Sequence, residues 1–302
     1  MSDNPTTRDS IIKQAQNVPQ LVSAAERFDP ALAESLTPKA LWASKSAPGT
    51  LLVAVITYLV SKYGLGWDGG TVDLVSGAAV LIGDLLLSWA DEVLFTSGLP
   101  ERDVLRAKPL YDLMRTELMA GQYLDLLEQA SGDGSEDRVM RVARYKTAKY
   151  TVERPLHVGG ALAGATAEVM AAYSGYGLPL GEAFQLRDDV LGVFGDPAVT
   201  GKPAGDDLRE GKRTLLIHAT LHTATAPQRA TLEAGLGNRE LQDSEVQQLR
   251  DIIIDSGGLL VVEDRIASLR TEALDALHDV ELDPEAVQVL HDIAVAATSR
   301  EA

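Results

Sequence analysis

Phe184-Gln185-Leu186-Arg187-Asp188-Asp189-Val190-Leu191-Gly192-Val193-Phe194-Gly195-Asp196 decides how this chain is read. Two adjacent carboxylates close an apolar run of helical period. Beyond them come Gly201-Lys202-Pro203-Ala204-Gly205-Asp206-Asp207 and Gly211-Lys212-Arg213-Thr214. Phe184, Leu186, Val190, Leu191, Val193 and Phe194 flank the two acids, so their helix is largely buried, and an unpartnered buried carboxylate is costly. A metal ion or a base offsets that cost. Paired Asp with nearby Lys suits one chemistry: carboxylates hold hard Mg²⁺ ions, Mg²⁺ holds phosphate oxygens, and lysines neutralise the remaining charge. These residues point to a diphosphate.

Outward from that stretch, almost every segment carries a helical period and none alternates as a strand does. Aromatics make up only 5% of the residues, and Ala and Leu abound, a composition that favours helices. The pattern predicts an amphipathic helix over Asp9 to Arg27 and more apolar, buried ones over Thr50 to Lys62 and Val72 to Phe95. Glu101 to Ala130 follows, with a core-facing stripe of Leu105, Leu110, Leu113, Met114, Leu118, Met119, Leu124 and Leu127. After the loop Ser131-Gly132-Asp133-Gly134-Ser135 comes a helix over Glu136 to Val152. Pro155 then opens another, read as running to about Ser174, before Gly175-Tyr176-Gly177. Pro179 opens the helix that bears Asp188 and Asp189. A Gly-, Pro- and Asp-rich loop spans Gly195 to Gly211. Shorter helices are expected over Lys212 to His222, Ala226 to Leu236, Asp243 to Ser256, Gly258 to Leu277 and Asp283 to Ser299. The expectation is one all-α domain of antiparallel helices over residues 1–302.

The totals narrow the function classes. Acidic residues number 44 against 27 basic, a net charge of −17, which argues against nucleic-acid binding. An acidic chain that takes an anionic ligand needs a metal or a local basic cluster, and the region from Asp188 to Lys212 offers both. Cysteine is absent, so disulfides and thiolate zinc sites are excluded. His218 and His222 stand four apart, but no Glu lies between them in the H-E-x-x-H manner and no third ligand is evident, so they read as helix histidines. The opening MSDNPTTRDS lacks a basic and then apolar leader. The longest apolar run, Leu51 to Val60, falls short of the about 20 residues that span a bilayer. A cytoplasmic protein without a transmembrane segment is the expectation.

Four ordered stretches now combine. Phe184 to Thr214 resembles the second aspartate-rich region of the trans-isoprenyl diphosphate synthases, the polyprenyl synthetase family, and most resembles its actinobacterial geranylgeranyl diphosphate synthase-like branch. Gly83-Asp84-Leu85-Leu86-Leu87 with Trp89-Ala90-Asp91 resembles the family's GD-L-L helix. Gly121-Gln122-Tyr123-Leu124-Asp125 resembles its GQ-x-x-D helix, and Tyr145-Lys146-Thr147-Ala148-Lys149-Tyr150-Thr151 its K-T-x-x-Y-T segment. Together they cover about Gly77 to Ala297.

The resemblance implies an all-α, isoprenoid synthase-type helical bundle around a central cavity. It implies a prenyltransferase of isoprenoid biosynthesis: an allylic diphosphate, bound through Mg²⁺, ionises, and isopentenyl diphosphate attacks the cation. Carried over by position, Asp188 and Asp189 would hold the metal, and Lys146, Lys202 and Lys212 would contact the diphosphate. Thr147 and Gln185 would line the reacting end, with Gln122, Asp125 and Asp84 as further candidates. A homodimer, or a heterodimer with a homologous synthase, is also implied.

The chain departs from the family in one region. Between Leu41 and Gly83 there is no His-Asp-Asp-x-x-Asp motif and no Arg, and the acids there are Asp68 and Asp73. The Gly-Lys-Arg-x-Arg-Pro segment that grips isopentenyl diphosphate is missing too, with Lys45 at best a remnant. The region around 41–76 looks shortened by comparison. Asp84, Asp91 and Glu92 share one helix face and are a weak substitute. Two rival readings follow: a catalytically impaired homologue acting as partner or regulatory subunit of a complete synthase, and, ranking last, a class I terpene synthase, whose downstream Asn/Asp-Asp-x-x-Ser-x-x-x-Glu segment is not found.

Overall fold

The computed structural model describes residues 69–131, 135–197, 205–278 and 280–299. They divide into two compact units, parted between Pro100 and Glu101. Among the described residues every regular element is a helix and none is a strand, in line with the low aromatic content and the helical period. The expectations for 9–27, 50–62, Lys45 and Lys202 fall outside the described residues.

The first unit contributes α1, Gly69–Phe95. Its apolar residues predict burial, yet Val80, Leu81 and Val93 are 63%, 69% and 58% exposed. A helix apolar on every side has no single stripe to bury, and in this unit much of it stays open.

The second unit begins with α2, Glu101–Ser131. The predicted core stripe is corrected here: Leu105, Leu113, Met119 and Leu127 are exposed, whereas Val104, Ala107, Tyr111 and Gly121 are buried. Leu110, Met114, Leu118 and Leu124 of the stripe are half-buried, so leucine period caught the edge of the inner face and missed its centre, where Ala107 and Gly121 let neighbouring backbones come close. α3, Glu136–Val142, leads without a break into an eleven-residue π-helix, Ala143–Glu153, and then α4, Arg154–Ala163. The single helix expected over this segment changes its winding midway. Within the π-helix Ala143, Ala148 and Glu153 are buried, five residues apart, the repeat that i→i+5 winding presents to one side.

α4 does not run on to Ser174 as expected. It ends at Gly164, which takes a left-handed φ of 78° as its C-cap, the conformation glycine adopts at no cost. Thr166 caps α5, which then extends from Ala167 to Phe194 straight through Gly175-Tyr176-Gly177 and Pro179. Those glycines read as breakers but serve close packing. Pro179 lacks an N–H and crowds the carbonyl four residues back, which belongs to Gly175.

Inside the segment expected to be a loop, Asp206–Glu210 forms a short helix, α6, between the left-handed glycines Gly205 and Gly211. The rest follows the predicted order: α7 (Leu215–Thr223), α8 (Ala226–Gly235), α9 (Asp243–Asp255), α10 (Gly258–Asp275) and α11 (Pro284–Thr298). α5 is central to this unit, packing on the π-helix along one side and on α10 along another. An aliphatic cluster of Leu186, Val190, Val193, Leu216, Ile217, Leu249, Ile253, Val262 and Ile266 joins α5, α7, α9 and α10. Among the described residues no helix is long and apolar enough to cross a membrane.

Candidate functional site

The π-helix is clasped between α2 and α5 by glycines. A Cβ on Gly121 of α2 would lie 2.5 Å from the Lys146 backbone nitrogen, and one on Gly177 of α5 would lie 2.7 Å from Glu153 Cα. On Gly181 it would lie 2.6 Å from Ala148 Cβ. Each distance is too short for a side chain, so both neighbours ride on the π-helix backbone. The G-Q-x-x-D glycine of the sequence thereby acquires a reason: it brings α2 against Tyr145 and Lys146.

This clasp links several of the residues singled out by sequence. Lys146 Nζ donates to Asp125 Oδ2 at 2.6 Å. Thr147 Oγ1 donates to Gln185 Oε1 at 2.5 Å, and Gln185 Nε2 donates to Asp189 Oδ1 at 2.9 Å. A relay of hydrogen bonds thus runs from the π-helix to the aspartate pair of α5. Asp188 is exposed and Asp189 half-buried. Burial pushes the Asp189 carboxyl up to about 7, Asp207 and Asp188 push the same way, and the Gln185 hydrogen bond and the Lys212 charge oppose them. Near neutral pH this acid is poised between its two forms, short of positive charge.

Asp207 is the participant that sequence reading passed over as one of two acids in a loop. Its carboxylate, 8% exposed, receives Lys212 Nζ at 2.5 Å and sits where a Cβ of Gly192 would otherwise fall. Gly192 on α5 thus makes room for an acid delivered from α6, next to Asp189. The sequence offers only an indirect sign, a glycine four residues after Asp188 with Asp207 and Lys212 in the next segment. Lys212 also pairs with Glu210 at 3.1 Å. Burial works against its charge, but Asp207 and Glu210 outweigh that and raise its pKa above the ordinary lysine value.

The remaining candidates are less engaged. Gln122 is exposed on α2. Asp84, Asp91 and Glu92 lie on α1 in the first unit. His218 is half-buried with its Nε2 unpartnered, burial lowering its pKa first of all, and His222 is exposed. Asp188, Asp189 and Asp207 are oxygen donors of the kind hard divalent cations take. Among the described residues no three acidic or histidine side chains form a metal-holding group by themselves.

Comparisons with known proteins bear on this arrangement. Residues 72–253 match the polyprenyl synthetase family, more than half of the chain and all four motif stretches. A geranylfarnesyl diphosphate synthase from Aeropyrum pernix is 32% identical over 217 residues, 70% of this chain and 67% of that one. A (2E,6E)-farnesyl diphosphate synthase from Mycobacterium tuberculosis is 33% identical over 227 residues, 74% of this chain and 62% of that one. The chain therefore spans a little under two thirds of the mycobacterial relative's length. Among solved structures, a geranylgeranyl pyrophosphate synthase from Corynebacterium glutamicum, complexed with isoprenyl diphosphate and magnesium, superposes with a TM-score of 0.77. It is 36% identical, over 82% of this chain and 69% of that one. With the fold, the order of the motifs and these matches in agreement, the chain belongs to the polyprenyl synthetase family.

Proposed function

We propose that this protein is a prenyltransferase that joins an allylic diphosphate to isopentenyl diphosphate with the help of a divalent cation, Mg²⁺ first. The observation that carries this reading is the relay Thr147–Gln185–Asp189, with Lys146 at one end and the Asp207–Lys212 pair at the other. Asp188 and Asp189 would hold the cation, a ligand's own oxygens would complete its coordination, and Asp207 keeps Lys212 beside them. Such an ion supplies charge stabilisation to a departing diphosphate. Lys146 and Lys212 add fixed positive charge beside it, while Gln185 orients the Asp189 carboxylate. Lys202 belongs to the same proposal by its place in the sequence. That relatives covering most of this chain are prenyl diphosphate synthases supports it further.

A second reading has one observation behind it: no aspartate-rich motif and no arginine stand between Leu41 and Gly83. On that reading the chain binds an allylic diphosphate but acts as the partner of a complete synthase. Incubation with farnesyl diphosphate, isopentenyl diphosphate and Mg²⁺ separates the two. Elongated product establishes the transferase. Binding without elongation, together with copurification of a full-length homologue, establishes the partner. Asp188→Ala combined with Asp189→Ala abolishes Mg²⁺-dependent binding of the allylic ligand on either reading. Unchanged binding in that variant removes the metal role.

A further inference from the structure

The relay leaves a second set of charges unused. Behind Lys146, between α2, the π-helix, α4 and α5, lie Glu117, Lys149, Glu153 and Arg154, with side chains 13%, 13%, 4% and 11% exposed. Lys149 Nζ reaches Glu117 at 2.9 Å and Glu153 at 3.3 Å. Arg154 forks onto Glu117 through Nε at 2.6 Å and Nη2 at 2.8 Å. Ser174 of α5 donates to Glu153 at 2.8 Å. His157 closes the set: its Nδ1 stands 3.0 Å from Arg154 Nη1 and its Nε2 3.0 Å from the Met170 carbonyl. Arg154 is only a donor, so Nδ1 accepts, Nε2 carries the proton, and the ring is neutral. Two acids and two bases then balance.

Such a network contributes little net stability, because desolvating the ions offsets their attraction, and apolar side chains of the same volume do as well. What ions give that apolar groups do not is register. Glu117, Gly121 and Asp125 follow one another at four-residue steps along one face of α2. Lys149 meets the first, the Tyr145–Lys146 backbone meets the second and Lys146 Nζ meets the third. The two lysines, three residues apart on the π-helix, reach acids eight residues apart on α2. Rewinding the π-helix as an α-helix shortens each i→i+5 step by one residue, a turn of about 100°, and swings Lys146 and Thr147 away from Asp125 and Gln185 if Glu153 stays put.

We propose that Glu117 and Lys149 are positioning residues: their buried ion pair holds Ala143–Glu153 in π register and so aims Lys146 and Thr147 at the diphosphate site. This rests on the reading of that site given above. Neither residue touches the ligand. π-helical turns are uncommon and gather at functional sites, and here the feature that maintains one stands apart from the groups it aims.

The test uses the full chain with Glu117→Gln and Lys149→Met. Three quantities are measured: affinity for inorganic pyrophosphate with Mg²⁺, kcat and KM for condensation, and hydrogen exchange of the amides in 143–153. Both variants are expected to fold, to bind pyrophosphate at least tenfold more weakly, and to lose exchange protection across the π-helix while α7 and α10 keep theirs. Lys149→Arg, which retains the charge, recovers most of the affinity. Wild-type affinity in folded variants, or lost affinity with unchanged protection of 143–153, overturns the proposal. If Glu117→Gln does not fold, Lys149→Met alone carries the test with the same three readouts, and wild-type affinity again overturns it. A wild-type chain that neither binds pyrophosphate nor elongates sinks the function reading instead, and the exchange pattern still decides whether the ion pair sets the register.

Discussion

α5 borders two seams of opposite character. Toward α7, α9 and α10 it presents Leu186, Val190 and Val193 to an aliphatic cluster, with the Arg187–Glu263 fork and Arg250 Nε on the Val193 carbonyl as its polar contacts. Toward the π-helix it presents Gly177, Gly181 and Glu182, and that seam holds Glu117, Lys149, Glu153 and Arg154. The aliphatic seam takes its stability from area removed from water, a non-directional quantity that tolerates side chains of similar volume. The polar seam depends on distances correct to a few tenths of an ångström. Asp188 and Asp189 sit on the helix that both seams hold, so the first anchors them and the second aligns them with the π-helix.

The sharpest way to break this contrast is to wound each seam once. Leu186→Ala, fully buried in the aliphatic seam, is expected to cost about 3–5 kcal/mol of stability in denaturant unfolding. Gly181→Ala adds a single methyl to the polar seam but drives it into Ala148 of the π-helix, and should cost about 2–3 kcal/mol as backbones separate. A cost under about 0.5 kcal/mol at Gly181, within the range of ordinary surface changes, shows that the clasp is looser than its geometry implies.

Protonation distinguishes the seams further. The Asp189 carboxyl is raised from 3.8 to about 7, so between those values the folded state binds more protons than the unfolded one. Its charge therefore lowers stability as pH climbs through that window. Asp189→Asn should stabilise the metal-free protein by on the order of 1–3 kcal/mol at pH 8, and the gain should vanish near pH 4. A neutral or destabilising Asn at pH 8 means that a cation partner already offsets the charge.

His157 gives the smallest effect and the opposite sign. Burial lowers its pKa first, with the Arg154 and Lys149 charges acting the same way and the Met170 hydrogen bond and Glu153 charge resisting. Below 6.5 the unfolded state takes up the proton before the folded one does, so stability falls as pH drops through 6.5. Replacing His157 by Gln should flatten that slope over pH 5–7. An unaltered slope assigns the titration elsewhere.

Much of the candidate site could be read along the chain, because its chemistry is local. Asp188 and Asp189 are neighbours, Gln185 is one turn away from Asp189, and Lys146 and Thr147 are adjacent. Asp207 escaped because its role depends on an absence, the missing side chain of Gly192. The centre of the inner face of α2 escaped for a related reason: leucine spacing marks apolar area, while Gly121 and Ala107 mark where a backbone comes near.

By themselves the residues determined an all-α chain, most of the order of its helices and a local grouping of Asp and Lys, since helical period, propensity and short-range chemistry are written in consecutive positions. Tertiary structure alone decided three things: that Gly175, Gly177 and Pro179 lie inside one helix, that Ala143–Glu153 winds as a π-helix, and that Asp207 joins Asp189. Each depends on how closely two segments distant in sequence approach, and that distance is set by packing.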